Sequence, residues 1–363
     1  MQLDFRGLTE TAPGDAWRAV FARGWPGWRA WFLAREGAAA PRLDEAERAL
    51  KRHMPEIAPL WRKLVDAVDG DDDAARFLSF WNPPRYLVGC SQLVATEDAG
   101  PVLIRNYDLN PEMNESTMLH TAWRGRRVMG MVDGLSGLAD GVNDAGLAAS
   151  LAFGGRMQVG RGFGVPMIMR YMLELCRDVQ DAVDLLRRVP SHMSYNITVA
   201  DRAGAWKTVF IAPDRPAIVS DRRGATNHQL GVEMPGHGRM SHTLERERHL
   251  EEMAAVEIGG GAAVEDFLRP PLFSTNYDMA FGTVYTAAYR PASGEAALSW
   301  RDGTTLRWRL DAFEPAEIAI AYSARGSKAL RSRKTGRPPI HQRQAAGAAA
   351  APRRHSAVHG DSL

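Results

Sequence analysis

The amino-acid sequence predicts an α+β protein in which a helical amino-terminal segment precedes a core made mostly of strands. Apolar residues recur at helical intervals within positions 1–85, whereas short apolar and β-branched runs bounded by turn residues dominate most of the later chain. Two helical stretches interrupt the strand-rich part, and strands do not alternate singly with helices. This order excludes simple βαβ winding and is typical of the α+β class.

The amino-terminal segment, residues 1–89, is predicted to be helical as far as residue 85. The run Asp44–Val68 has apolar residues at helical spacing, and Pro55 and Pro59 inside it predict a break into two helices. Asn82-Pro83-Pro84 then favours an extended entry into the next element, because the residue before a proline avoids the helical conformation.

A β-hairpin is predicted at the start of the core. Leu87–Thr96 is an apolar run, residues 97–100 form a turn cluster, and Pro101–Ile104 is the returning strand. Closing this hairpin brings Arg105 and Asp108 beside Cys90. The simpler alternative is that Cys90 is a buried apolar residue and that the two charges are solvated at the rim of the sheet.

The rest of the core, residues 90–325, continues with strands and two helices. Strands are predicted at Ser116–Trp123, Arg127–Val132, Leu147–Phe153, Asn196–Ala200, Trp206–Ile211, Ala217–Ser220, Thr283–Tyr289, Ala296–Trp300 and Thr305–Leu310. One long helix is predicted over Phe163–Val189, with Cys176 on its apolar stripe, and a second over Thr243–Ala255. Residues 326–363 are rich in Ala, Gly, Pro and Arg and are predicted to be a disordered basic tail.

Composition limits the function classes. The net charge of the 363 residues is +2, but the tail carries eight Lys and Arg against one Asp, so the body is near −5. A nucleic-acid enzyme normally carries its basic patch on the folded part, so we expect no specific nucleic-acid partner. Two cysteines make no disulfide framework and favour a cytoplasmic protein, and neither a secretory signal nor a membrane span is evident.

Several short motifs occur in an informative order. They are Gly89-Cys90-Ser91, Arg105-Asn106-Tyr107-Asp108, the Gly141–Leu147 segment, Thr226-Asn227-His228 and the Ser/Thr-containing stretch that leads to Arg246. This order resembles the N-terminal-nucleophile (Ntn) hydrolases, above all the penicillin acyltransferase (peptidase C45) family, and more distantly bile salt hydrolases and acid ceramidases. The resemblance implies an αββα sandwich, in which two packed antiparallel sheets lie between helical layers. It also implies autocatalytic cleavage of the Gly89–Cys90 bond, which would leave self-derived chains of 89 and 274 residues.

A cysteine made amino-terminal by that cleavage can act as nucleophile and base together. A free α-amine has a pKa of about 7.7–8.0 and a thiol about 8.5, so the amine can accept the thiol proton near neutral pH. The resemblance implies that Asp108 binds the new amine, that Arg105 favours the thiolate, and that Asn227 contributes to an oxyanion hole. His228 is expected to support the site, and either Arg246 or its neighbour Arg248 to complete it.

The predicted reaction is cleavage or transfer of an acyl group from a small amide or thioester through an acyl-Cys90 intermediate. No metal or cofactor is expected, although acyl-CoA is a candidate co-substrate. Ser150-Leu151-Ala152-Phe153 lacks the asparagine of the bile salt branch, which disfavours bile salts. The alternatives are an uncleaved enzyme or a catalytically inactive binding protein of the same fold. A weaker third is a papain-like protease that depends on His228.

Overall fold

The computed structural model describes residues 1–35, 40–279, 281–323 and 326–330. Within them the strands are, in chain order, β1 (Gln2–Glu10), β2 (Gly89–Glu97), β3 (Gly100–Leu109), β4 (Thr117–Thr121), β5 (Val128–Asp133), β6 (Gly137–Asn143), β7 (Leu147–Phe153), β8 (Tyr195–Asp201), β9 (Trp206–Ala212), β10 (Arg215–Ser220), β11 (Gly224–Ala225), β12 (Thr275–Asn276), β13 (Phe281–Arg290), β14 (Glu295–Ser299), β15 (Thr305–Arg309), β16 (Glu317–Ser323) and β17 (Gly326–Ala329). The α-helices are α1 (Asp15–Arg35), α2 (Leu43–His53), α3 (Ala58–Ala67), α4 (Asp72–Ser79), α5 (Val165–Leu175), α6 (Val179–Arg188), α7 (Pro235–Met240), α8 (Thr243–Ala255) and α9 (Gly260–Phe267).

The described strands form two sheets. The larger has the spatial order β10-β9-β8-β7-β6-β5-β4-β1-β16-β17, and the smaller has the order β11-β2-β3-β13-β14-β15, with β12 paired to β13. Neighbouring strands are antiparallel except β1 and β4, which are parallel. The larger sheet is therefore mixed, whereas the resemblance implies two antiparallel sheets.

The two sheets pack face to face, and helices cover their outer faces. Strands β2 and β3 contact β7 and β8 across the interface, while α5 and α6 lie on the larger sheet and α8 and α9 on the smaller one. The side chains follow this layering: Gln92 Nε2 donates to Asn196 O of β8 at 3.0 Å, and Asn106 Nδ2 donates to Phe267 O of α9 at 2.7 Å. The predicted α+β class and αββα layering are both confirmed.

The amino-terminal segment is not helical throughout, which corrects the prediction for residues 1–10. Gln2–Glu10 is strand β1, in which buried Phe5 alternates with the charged Asp4 and Arg6. That period of two is typical of a strand with one face buried, and β1 pairs with both β4 and β16. The segment 1–89 thus supplies a strand to the core sheet. The predicted helix break at Pro55 is confirmed, since α2 ends at His53 and α3 begins at Ala58.

The long helix predicted over Phe163–Val189 is two helices. Helix α5 ends at Leu175 and α6 begins at Val179. The side chain of Asp178 caps α6 by accepting a hydrogen bond from the Asp181 amide. Asn143 Nδ2 donates to the carbonyls of Leu173 and Cys176, which satisfies the end of α5. Cys176 is buried there, as the core interpretation expects.

The boundary placed at residue 325 is also shifted. Gly326–Ala329 is strand β17, paired with β16, and so belongs to the larger sheet. The rest of the predicted tail, residues 331–363, lies outside the described residues. Among the residues that the structure describes, none belongs to a helix long and apolar enough to cross a membrane.

Candidate active site

The predicted hairpin, formed by β2 and β3, places Cys90 between the two sheets. Cys90 lies opposite Tyr107 and Gln92 opposite Arg105, so the side chains of Cys90, Arg105 and Tyr107 share the inner face. Asp108 lies opposite Gly89 and faces the outer, helix-covered side. Arg105 and Asp108 are fully buried, which rules out the alternative of solvated charges at the rim of the sheet.

The Cys90 sulfur contacts a buried guanidinium. Arg105 Nη2 donates to Cys90 Sγ at 3.2 Å, and its Nη1 donates to the carboxylate of Asp140 on β6. The Arg105 guanidinium also stacks 4.1 Å from the centre of the Tyr107 ring. Asp140 accepts further hydrogen bonds from the hydroxyls of Tyr285 and Tyr289. Arg105 is therefore held in one orientation, with a carboxylate on one side and the thiol on the other.

Burial and charge act in opposite directions on this thiol. Removal from water raises the pKa of Cys90 above its ordinary value, and the neighbouring Arg105 opposes that increase. The balance leaves the thiol of the intact chain protonated at neutral pH. A nucleophilic role for Cys90 therefore needs a base close to the sulfur.

On the outer face, Arg246 connects the backbone carbonyl of Cys90 to the side chains of Ser91 and Asn227. From α8 its Nη1 donates to Cys90 O at 2.6 Å and to Ser91 Oγ at 2.9 Å, and its Nη2 donates to Asn227 Oδ1 at 2.6 Å. Arg248 is exposed on the same helix. Of the two arginines left open by the sequence, Arg246 is the one at the site.

Asp108 lies on the same side as Arg246. Its Oδ1 accepts from Thr283 Oγ1 at 2.7 Å, and its Oδ2 lies 3.5 Å from Arg246 Nη1. Burial raises the pKa of this carboxyl, and Arg246 counteracts the increase. In the intact chain the Cys90 amide donates to Asn227 Oδ1 at 3.1 Å rather than to Asp108.

Asn227 follows β11 and touches both sides of the Gly89–Cys90 bond. Its Oδ1 accepts from the Cys90 amide, while its Nδ2 lies 3.1 Å from Phe153 O and 3.4 Å from Val88 O. Its own amide donates to Thr243 Oγ1 at 2.8 Å. The side-chain amide is thus fixed at both ends beside the Cys90 backbone.

His228 directly follows Asn227 in the chain and ties this segment to α8. Its Nδ1 lies 2.9 Å from Thr243 Oγ1 and its Nε2 lies 2.9 Å from Glu247 Oε2. Both ring nitrogens are therefore occupied by partners on α8. His228 is brought close to the site but, within the described residues, is bonded to the loop and helix rather than to Cys90.

Gly89 is required by a close contact on the other side of the bond. A Cβ at this position would lie 2.0 Å from Phe281 Cζ, far inside van der Waals distance. Only a glycine lets the Phe281 ring cover the peptide that precedes Cys90.

Several site residues were missed by sequence reasoning, namely Asp140, Thr243, Thr283, Tyr285 and Tyr289. Asp140 carried a usable signal, since a carboxylate inside an apolar strand is almost never buried without a partner. Thr243 was predicted only as the first residue of a helix, whereas its hydroxyl accepts from the Asn227 amide and lies 2.9 Å from His228 Nδ1. Among the described residues, no group of His, Cys, Asp and Glu is arranged to hold a metal ion.

The chain also matches a known protein family. A sequence profile for the family described as acyl-coenzyme A:6-aminopenicillanic acid acyl-transferase matches residues 95–304, more than half of the chain. The chain belongs to this acyl-transferase family. The matched range begins after Cys90 and contains the positions of Arg105, Asp108, Asn227 and Arg246. Comparison with curated proteins finds no match.

Solved structures similar to this acyl-transferase family member include three from different organisms. A mutant conjugated bile acid hydrolase from Clostridium perfringens has 12% identity and a TM-score of 0.40, over 65% of this chain and 97% of that one. Penicillin V acylase from Agrobacterium tumefaciens has 13% identity and a TM-score of 0.41, over 63% and 90%. An N-acylethanolamine-hydrolyzing acid amidase orthologue from Caenorhabditis elegans has 17% identity and a TM-score of 0.41, over 56% and 93%.

Proposed function

We propose that this protein is a self-processing cysteine acyl-transfer enzyme that cleaves its own Gly89–Cys90 bond and then acts on small amides or thioesters. The observation that carries the proposal is the 3.2 Å contact between Arg105 Nη2 and Cys90 Sγ, inside a cluster that also fixes the Cys90 amide and carbonyl. A structural cysteine has no need of a buried cation on its sulfur or of polar groups on both sides of its backbone. A nucleophile that must be held in one orientation has use for both.

The first step is scission of the chain. The Cys90 sulfur attacks the carbonyl carbon of Gly89, the C–N bond breaks, and the thiol proton passes to the departing Cys90 nitrogen. Water then hydrolyses the resulting thioester, which regenerates the thiol and leaves Gly89 as a carboxylate. Because β1 and the helices that follow it belong to the same fold as the core, the two pieces stay associated.

The freed amine then serves as the base that the buried thiol needs. Its nitrogen begins 3.1 Å from Asn227 Oδ1, and this contact keeps it beside the sulfur after scission. The amine accepts the thiol proton, and Arg105 stabilises the thiolate by charge and hydrogen bonding. In this proposal Asp108, held by Thr283 and near Arg246, sets the charge balance close to the amine.

The oxyanion hole comes from the same asparagine. In the intact chain Asn227 Nδ2 lies 3.4 Å from Val88 O, which is on the departing side of the cleaved bond. Displacement of Val88 after scission frees that N–H to donate to the oxygen of a substrate carbonyl. A donor of this kind typically lowers the barrier by about 2.7–4 kcal/mol.

Each turnover forms an acyl-Cys90 thioester and releases an amine or a thiol. A second nucleophile then takes the acyl group, with water giving hydrolysis and an amine giving transfer. No cofactor is needed for either step. Acyl-CoA fits as an acyl donor because its thioester presents the same carbonyl chemistry as an amide.

Intact mass spectrometry of freshly purified protein tests the proposal. Wild-type protein and the matched Cys176→Ala control should each give fragments of 89 and 274 residues, and Cys90→Ala should remain one chain of 363. A wild-type preparation that turns over amides or thioesters as a single unbroken chain would contradict self-processing. Activity that survives in Cys90→Ala would contradict the nucleophile itself, and a fully inactive but folded wild type would favour the binding-protein alternative.

A further inference from the structure

Asn196 is a buried amide on β8 that the mechanism above does not use. Its Nδ2 donates to Thr226 O and to His228 O, each at 2.8 Å, and the whole residue is fully buried. These two carbonyls lie immediately before and immediately after Asn227 in the chain. One carboxamide therefore holds the backbone on both sides of the proposed oxyanion donor.

The orientation of the Asn196 amide follows from these partners. Nδ2 carries two hydrogens, and the two carbonyl oxygens use both of them. Rotation of the amide by half a turn would place its oxygen against the same carbonyl oxygens, with no hydrogen between them. In the observed orientation Oδ1 is buried and has no hydrogen-bond partner among the described residues, which lowers stability. Stability alone is therefore a poor explanation for an amide at this position.

The same residue is bonded to the strand that carries Cys90. Gln92 of β2 donates from Nε2 to Asn196 O at 3.0 Å, and its Oε1 accepts from Ser150 Oγ of β7 at 2.6 Å. All three residues of this network are fully buried. Gln92 lies two residues after Cys90 and on the same inner face of β2. The network thus connects the Cys90 strand, through β8, to the segment that contains Asn227.

The Asn227 segment depends on side chains for its position. Residues 226–228 belong to no helix or strand, so side-chain donors must satisfy their carbonyls. The Asn227 amide is bonded to Thr243 of α8, and the Asn196 contacts hold the same segment from β8. An oxyanion donor must lie about 2.7–3.1 Å from the charged oxygen, and a displacement of about 1 Å can slow a reaction about 10²-fold. Loss of the contacts from β8 should therefore displace the Asn227 amide enough to slow turnover.

We propose that Asn196 is a positioning residue for the oxyanion hole: by binding the two carbonyls beside Asn227, it keeps Asn227 Nδ2 at a fixed place relative to the Cys90 sulfur. This inference rests on the proposed function, because Asn196 acts through the donor that the proposed function assigns to Asn227. In this role Asn196 contacts neither the substrate nor the sulfur.

Asn196→Leu is the direct test, because leucine has nearly the same size and removes both donors. It also removes the unpaired oxygen, which offsets part of the stability lost with the two hydrogen bonds. The matched control is Thr198→Val, two residues further along β8. Thr198 is fully buried, and its hydroxyl is bonded to Thr208 Oγ1 at 2.9 Å rather than to residues 226–228.

Turnover of a small amide such as hexanoyl glycinamide by processed protein should distinguish the two variants. Asn196→Leu should lower kcat by about 10–100-fold with little change in KM, because the oxyanion donor acts on charge that develops in the transition state. Thr198→Val should keep the kcat of the wild type. Asn196→Asp serves if the leucine variant does not fold. It keeps the shape of the amide, and burial keeps it protonated with one donor, so its kcat should fall by about tenfold or less.

A double-mutant cycle separates positioning of Asn227 from a general effect on the fold. In an Asn227→Leu background, the substitution of Asn196 should change kcat by about twofold or less, because the group that it positions is gone. The inference is overturned by an unchanged kcat in Asn196→Leu or by an equal loss in both backgrounds. A folded Asn196→Leu protein that loses more activity or processing than Asn227→Leu also overturns it, since a residue that acts through Asn227 cannot matter more than Asn227 does. A wild type that remains one unbroken chain instead overturns the proposed function, and with it this role.

Discussion

Replacement of Arg105 by Met removes the cation that contacts the Cys90 sulfur. Arg105 Nη2 lies 3.2 Å from Sγ, and the sulfur is fully buried, so water can replace little of that contact. A hydrogen bond to a charged group is worth about 1.5–3 kcal/mol. At about 1.36 kcal/mol per unit, its loss should raise the pKa of the thiol by about 1–2 units.

Alkylation of processed protein by iodoacetamide measures that pKa, because the thiolate is the reactive form and the sulfur is fully buried in the intact chain. The chain has two cysteines, so a Cys176→Ala background leaves Cys90 as the single thiol. The rate at pH 7 should fall by about 10–100-fold in Arg105→Met, and the pH profile should move to higher pH by about 1–2 units. Arg105→Lys keeps the charge without the planar fork and should give a smaller shift.

A stability effect accompanies the change in reactivity. Asp140 would keep its bonds from Tyr285 and Tyr289 but lose its buried cation. Breaking a buried ion pair from one side costs about 3–5 kcal/mol, so the alkylation must be followed on protein shown to be folded by circular dichroism. An unchanged alkylation profile in folded Arg105→Met would refute the role given to this guanidinium.

Four further changes test other parts of the account. Gly89→Ala should slow self-cleavage, as measured by intact mass over time, and should lower stability by about 1–3 kcal/mol, because its Cβ would overlap Phe281. The second substitution Phe281→Leu in the same chain should recover part of the cleavage rate and part of the stability. Asn227→Leu should lower kcat by about 10²–10³-fold in processed protein through loss of the oxyanion donor, and unchanged kcat would remove it from that role. His228→Ala should lower stability through its lost bonds to Thr243 and Glu247 but leave cleavage and turnover in place; loss of turnover alone would favour the papain-like alternative. Burial and the neighbouring Asp133 raise the pKa of Glu115 to about 8, above its unfolded value. The contribution of this group to the free energy of unfolding is therefore fully present at low pH and is lost as the pH rises from about 4.5 to 8. Urea unfolding at about pH 5 and about pH 8 should show a smaller pH dependence of stability in Glu115→Gln than in the wild type.

The parts of the site that could be predicted from sequence are those whose members are local. Cys90, Arg105 and Asp108 lie on one hairpin, so the turn cluster between its strands was enough to predict that they lie at the same end of it. Alternation also separates them, since Asp108 faces away from the sulfur on the outer side of the sheet. That detail depends on the register of the hairpin, and a shift of one residue would exchange the two faces.

The parts that could not be predicted depend on distant contacts. Asp140 and Thr283 hold Arg105 and Asp108 from other strands, and no spacing in the sequence connects them. The choice between Arg246 and Arg248 depends on which face of α8 packs against the protein, and the sequence does not show this. In the structure Arg246 is buried and Arg248 is exposed. Strand β1 was missed because its short period-two pattern adjoins helical segments, and its pairing with β4 and β16 decides its conformation.

The central claim is that Cys90 works as an amino-terminal residue, with its own nitrogen as the base for its sulfur. Acid quenching during turnover of hexanoyl glycinamide, followed by peptide mass spectrometry at low pH, examines both the sulfur and the nitrogen in one molecule, because acid keeps the α-amine protonated and so stops it from taking the acyl group off the sulfur. We predict a peptide that begins Cys90-Ser91-Gln92, has a free amino terminus and holds one hexanoyl group as a thioester on Cys90. A hexanoyl thioester on a Cys90 still joined to Gly89, or turnover with no acyl group on this sulfur, would contradict the account.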